Sequence, residues 1–188
     1  MAILMVVFYV VVLAALTAIV YAITVFNSLV RLRNENDRAW SNIDVLLKQR
    51  HDELPNVIET CKGYMKYEQE TLQKIVKART ASASAISIAE KAQADGMTTV
   101  AVNKLFAVAE GYPELRANPT FLRLQGRISE LEEKIADRRE FYNSDVALYN
   151  TRIASFPEVL FANLMAMKTR DYFRVQVDEE QTVATKFT

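Results

Sequence analysis

The chain offers few residues that could carry out chemistry, and their spacing argues against most of it. His51 is the sole histidine among 188 residues. A His-based metal centre or a Ser-His-Asp relay would have to be built around it. Asp52 is adjacent in sequence, and adjacent residues on a helix do not face each other. His51 therefore reads as a surface or helix-end histidine. Cys61 is the only cysteine, which excludes an intrachain disulfide and a thiolate zinc cluster. It falls on an apolar stripe and reads as a small core residue rather than a reactive thiol. Carboxylates are plentiful, as at Glu68 and Glu70 or at Glu130, Glu132 and Glu133, but a di-iron bundle needs Glu-x-x-His on two helices. Nucleophile-elbow, H-E-x-x-H, Walker and dinucleotide glycine patterns are absent. The expectation is a protein with no catalytic, cofactor-binding or metal-ligating residues.

Two sets of polar residues fall on or beside apolar stripes. Glu68 lies between Met65 and Leu72, and Arg138 between Ile135 and Tyr142. An unpaired charge inside a bundle is costly. Either Glu68 pairs across helices with Arg138 or Arg139 and fixes register, or these side chains snorkel to solvent. Tyr142-Asn143 and Tyr149-Asn150 recur seven residues apart, which puts each pair on one face. Stacked core aromatics with hydroxyls at the rim account for this; a tyrosine-lined pocket for a small molecule or lipid is the alternative.

The elements that must position these residues begin with an apolar run. Between Met1 and Val30 no side chain is charged, and Arg31 is the first that is. From Ile3 to Phe26 the chain reads ILMVVFYVVVLAALTAIVYAITVF. At about 1.5 Å per residue this covers a hydrocarbon core of about 30 Å with some tilt. A cleaved signal would carry a basic n-region and a shorter apolar stretch, so residues 1–30 read as an uncleaved transmembrane anchor. Arg31, Arg33 and Arg38 follow it while nothing basic precedes it; the positive-inside rule then puts the body in the cytoplasm. Ala14, Ala18 and Ala22 recur every four residues along one face. Small residues at that spacing permit close helix approach and self-association, although alanine is also common in spanning helices.

Beyond the anchor the pattern turns amphipathic. Leu32, Trp40, Ile43, Leu47 and Leu54 share a face, and the spanning helix can run straight into this first helix of the body. Pro55 is expected to end or kink it, or to open the next one. A second helix is expected over 55–94, marked by Ile58, Cys61, Met65, Leu72, Ile75 and Val76 and ending in the small-residue run ARTASASAISIAEKAQA. Asp95-Gly96 reads as a stop, followed by a short helix over 98–109. The last long helix, over 120–154, carries Leu124, Ile128, Leu131, Ile135, Tyr142, Val146, Tyr149 and Ile153 at steps of three and four. Four Gly and four Pro in the whole chain leave little room for the turns of a many-stranded fold. The fold class expected is all-α: a transmembrane helix continuing into an antiparallel bundle of about four helices over residues 31–172.

The segment SFPEVLFANLMAMKTRDYF holds Phe156, Leu160, Phe161, Leu164 and Met165, with Glu158 the only charge before Lys168. It is too short to span. It can cap the bundle, contact another subunit, or lie in the membrane interface with Lys168 and Arg170 near headgroups. The remaining residues, 173–188, read as a polar, flexible tail.

Several blocks are recognisable. LVRLRNENDRAWSNIDVLLKQRHDELPNVIETCKGY at 29–64, AVAEGYPELRANPTFLRLQ at 107–125, FYN at 141–143, YN at 149–150 and SFP at 155–157 resemble the signature of the bacterial LemA family. The resemblance covers almost the whole chain. It implies a membrane-anchored antiparallel helical bundle and adds little about activity. Two positions depart from the family pattern: Glu35-Asn36 stands where a more apolar run is usual, and Met167 where an aromatic is common.

Lys plus Arg and Asp plus Glu total 23 each, so the formal net charge is zero. A nucleic-acid binder normally carries a clustered basic excess, and no nucleic-acid partner is expected. The reading that follows is a non-enzymatic scaffold in the bacterial inner membrane that contacts lipids, forms homo-oligomers and recruits protein partners. A lipid- or small-molecule-binding module is the alternative, and an enzyme of unrecognised type the third.

Overall fold

The computed structural model describes residues 1–174. Among these it contains six helices and no strand: α1 (Ala2–Lys62), α2 (Gln69–Ser84), α3 (Ile88–Ala109), α4 (Pro113–Arg116), α5 (Pro119–Ala154) and α6 (Glu158–Leu164). The all-α expectation holds, with six helices where about four were expected. The polar tail lies, from residue 175 onward, outside the described residues.

The differences have physical causes. α1 does not end at Pro55 but passes through it to Lys62. A mid-helix proline forfeits one backbone hydrogen bond at a cost of about 3 kcal/mol. Leu54, Val57, Ile58 and Cys61, all buried in one apolar cluster, offset that loss by remaining on a single helical face. The actual break comes at 63–68, just before α2. A second break at 85–87 divides the small-residue run into two packed helices. There Ser87 caps α3: its hydroxyl accepts from the Glu90 N–H at 3.2 Å, and the Glu90 carboxylate accepts from the Ser87 N–H at 2.9 Å. These hydrogen bonds, with one from Ile86, hold the Glu90 pKa below its ordinary value. Ser87→Ala should therefore cost about 1 kcal/mol, read as a shift in the urea midpoint at unchanged slope. The expected stop at Asp95-Gly96 does not occur. α3 continues through it, and Asp95 spends its side chain on a buried ion pair instead.

Contacts gather the described residues into two units, one of Met1–Ser41 with Phe141–Arg170, the other of Asn42–Glu140 with residues 171–174. In the second unit Leu54, Met65, Ile75, Leu105, Leu115, Phe121 and Ile128 build the apolar core, with Phe106 set edge-on to Phe121 at 6.1 Å between ring centres. In the first unit Val25, Leu29, Tyr149, Ile153 and Ala162 form a smaller core, flanked by Leu32, Phe161, Met165 and Met167. Trp40 packs on Tyr142 at 5.6 Å between ring centres. All eight apolar residues expected along the last long helix are buried.

Candidate functional site

The first unit joins the apolar run to a compact collar. Every residue from 2 to 24 except Ala22 is exposed; Val25 is the first buried position and Leu29 the next. The apolar window of α1 is long enough to cross a membrane and is 0% buried, whereas the core helix of a water-soluble domain would be covered. Thr17 and Thr24 donate their hydroxyls to the carbonyls of Leu13 (2.9 Å) and Val20 (2.8 Å), so these two hydroxyls are satisfied within the helix, the arrangement a lipid setting requires. Of the expected self-association face, Ala14 and Ala18 are exposed and Ala22 half-buried.

The collar is closed by α6 and the strap that follows it. Ala162 is buried against Val25 and Leu29, with Phe161 and Met165 packed beside it. Arg152 pairs with Glu158 at 3.1 Å and reaches the Ser28 hydroxyl at 3.4 Å. Asn150 holds the strap at two points, donating to the Arg170 carbonyl (2.9 Å) and accepting from the Arg170 N–H (2.8 Å). The Tyr149 hydroxyl donates to the Lys168 carbonyl at 3.1 Å, and Arg170 reaches Asp37 at 2.7 Å. Both tyrosine rings are buried, and the Tyr149 hydroxyl is taken up by the strap. The apolar C-terminal residues divide: Phe161 and Met165 turn inward, while Phe156, Leu160 and Leu164 are 81%, 61% and 85% exposed.

Two residues beyond the end of α6, Ala166 takes the left-handed region at φ 49°. The Met167 N–H bonds the Ala162 carbonyl at 2.9 Å and the Ala166 N–H bonds that of Asn163 at 3.1 Å, the pairing that usually places glycine here. Ala166→Gly should stabilise this unit by about 0.5–1 kcal/mol, the relief of left-handed strain less the extra freedom of an unfolded glycine. Thermal unfolding of the two proteins side by side measures it.

The second unit holds a buried polar network. Arg50, on α1, is 3% exposed. It pairs with Asp95 on α3, donates to the Asp95 carbonyl at 3.3 Å and to the Thr99 hydroxyl at 3.0 Å, and reaches Glu132 on α5 at 3.5 Å. Desolvation pushes the Asp95 carboxyl up, against the pull of Arg50 and Arg139, and desolvation raises Glu132 as well. The expected Glu68–Arg138 or Glu68–Arg139 bridge is not what forms. Glu68 accepts from the Tyr112 hydroxyl at 3.4 Å, Arg138 is exposed, and the charge of Arg139 acts on Asp95. The reason is the break at 63–68, which takes Glu68 off a continuous helix and leaves it at the start of α2.

Sequence reasoning passed over Arg50 and marked Asn36 only as a departure from the family pattern. Asn36 is buried, donating to the carbonyls of Leu32 (3.1 Å) and Asp145 (3.2 Å) while its own oxygen is unpartnered. The signal was present: Leu29, Asn36, Ile43, Arg50 and Val57 fall every seven residues and are all buried, the spacing at which one polar residue sets helix register. His51 lies mid-helix and half-buried, its pKa lowered by desolvation and by Arg79. The Cys61 thiol is buried and pushed up to about 11 by desolvation, which keeps it protonated and unreactive at neutral pH.

Residues 39–187 match the model of the LemA family. The chain belongs to the LemA family. Among relatives, Protein LemA of Metamycoplasma hominis is 31% identical over 157 residues, 80% of this chain and 67% of that protein. Magnetosome protein MamQ 2 of Paramagnetospirillum magneticum is 35% identical over 81 residues, 43% of this chain. MamQ of Magnetospirillum gryphiswaldense is 31% identical over 80 residues. The match spans only 30% of the length of the first MamQ relative. Within this LemA chain the two departures from the family pattern take defined places: Asn36 is the buried amide just described, and Met167 packs against the Tyr149 and Ile153 core.

Proposed function

We propose that this LemA-family chain is a single-pass protein of the bacterial inner membrane whose helical body is a non-enzymatic scaffold. It self-associates through the anchor and presents the body, on the cytoplasmic side, to protein partners. The observation that carries this reading is the fully exposed apolar run on the same unbroken helix that supplies core residues Leu29, Ile43 and Leu54. Burying a single large apolar side chain is worth about 1.5–3 kcal/mol, so a run of this length in water would drive aggregation. In lipid it is satisfied, and the exposed Ala14 and Ala18 offer a second anchor a close approach. The Arg31–Arg33–Arg38 flank supports the cytoplasmic side.

Native mass measurement of the full chain released from lipid nanodiscs tests the reading. Dimers or higher assemblies are expected, weakened by Ala14→Ile with Ala18→Ile. A strictly monomeric species at every protein-to-lipid ratio would overturn it.

A further inference from the structure

We infer that α6 is a membrane-surface wedge: Phe156, Leu160 and Leu164 insert into the headgroup–acyl boundary of the leaflet from which α1 emerges. The inference rests on the reading of residues 3–26 as a spanning segment and adds a second, separate lipid contact.

Three observations converge on lipid as the occupant of this exposed face. The first is depth. The exposed run of α1 from residue 2 to 24 measures about 33 Å at 1.5 Å per residue, close to the roughly 30 Å of a hydrocarbon core. Protein cover begins directly at its end, with Val25 and Leu29, and α6 is the element that contributes Ala162 and Phe161 to that cover. Through these contacts α6 lies beside α1 at the level where hydrocarbon gives way to headgroups. The second is polarity. Leu160 and Leu164 are four residues apart on one helical face and Phe156 precedes them, all strongly exposed. Glu158 is the only charge in α6, and it turns away into an ion pair with Arg152, its side chain 15% exposed. Nothing charged in α6 has to be desolvated when the apolar face enters the interface. The third is the charge that borders the wedge. Arg31, 78% exposed and paired with Glu35 at 3.0 Å, marks the end of the apolar run on α1, and exposed Lys168 follows α6. Cations at this depth suit anionic headgroups. An apolar helical face about 5–10 Å into the headgroup boundary, flanked by basic residues, is the arrangement of interfacial helices.

The test uses the full chain in vesicles of phosphatidylcholine with phosphatidylglycerol. Nitroxide labels are attached at Phe156→Cys, Leu160→Cys or Leu164→Cys, and their collision rates with oxygen and with a water-soluble nickel chelate are compared. Leu13→Cys serves as the deep reference and Ile86→Cys, at a 90% exposed position in the other unit, as the aqueous one. All these positions are exposed, so the fold tolerates the label; buried Cys61 stays unmodified. The expected result is an oxygen-to-nickel ratio between the two references at Phe156→Cys and at both α6 positions. Aqueous ratios at α6 with a deep Leu13→Cys would overturn the wedge and leave the spanning reading intact. Labels on α6 shielded from both reagents would also overturn it, in favour of a second copy as the occupant. An aqueous Leu13→Cys would overturn the wedge and the spanning reading together.

Discussion

Arg50→Met should destabilise the helical body by about 3–5 kcal/mol, the usual loss when one partner of a buried ion pair is removed. Asp95 is 6% exposed and would keep a carboxylate in an apolar setting with Arg139 as its remaining positive neighbour. Two further results distinguish this from a simple packing loss. Combining Arg50→Met with Asp95→Leu should recover most of the stability, because an apolar pair of similar volume often matches or exceeds a buried ion pair. The single variant should also be less destabilised at pH 5 than at pH 7.5. In it the folded pKa of Asp95 rises further above the unfolded value, so the folded state binds the extra proton. Stability then falls as pH rises through the interval between the two values. Urea unfolding followed by circular dichroism at both pH values measures all three. A single-variant loss below about 1 kcal/mol would contradict the assignment of Arg50 as a buried, paired charge.

Leu13→Arg should weaken insertion of the apolar run into membranes by about a hundredfold. Leu13 lies near the middle of the exposed run, where an arginine costs about 2.5–3.5 kcal/mol of insertion free energy. That is roughly a hundredfold change in an insertion equilibrium. The fraction resisting alkaline carbonate extraction reports it, and Leu13→Ile is the conservative control. A carbonate-resistant fraction still unchanged when Val10→Arg and Leu16→Arg are added to Leu13→Arg would mean that this segment does not cross the bilayer.

How far the sequence could be read depended on whether local signals or tertiary contacts decided each element. The long apolar helix at the start of the chain follows from composition alone, and α5 follows from periodicity alone, since its eight apolar positions are all buried. The interior of the body was less legible because two strong local signals were overridden. Pro55 reads as an end, a kink or a new start and Asp95-Gly96 as a stop, yet each sits on a helix whose buried neighbours reward continuation: Leu54 and Val57 in one case, the Arg50 pair in the other. The true start of α3 carries its own mark, the Ser87–Glu90 capping box, within a run of alanines and serines that draws attention to packing instead. The burial of Arg50 and Asn36 was missed because charge and amide count as solvent-facing in a hydrophobic pattern, although their seven-residue spacing from Ile43 placed them in the buried seam. In the collar, the apolar content of 156–167 was evident, whereas its division into an inward and an outward face depends on where α6 docks.

The most direct test of the scaffold reading is disulfide scanning of the anchor in native membranes. Single cysteines at Ala14, Ala18 and Ala22 are compared with cysteines at Val12, Leu16 and Val20, the native Cys61 being fully buried. The account predicts that Ala14→Cys, Ala18→Cys and Ala22→Cys cross-link chain to chain on mild oxidation and that the three on the opposite face do not. Equal cross-linking on both faces, or none on either, would contradict it.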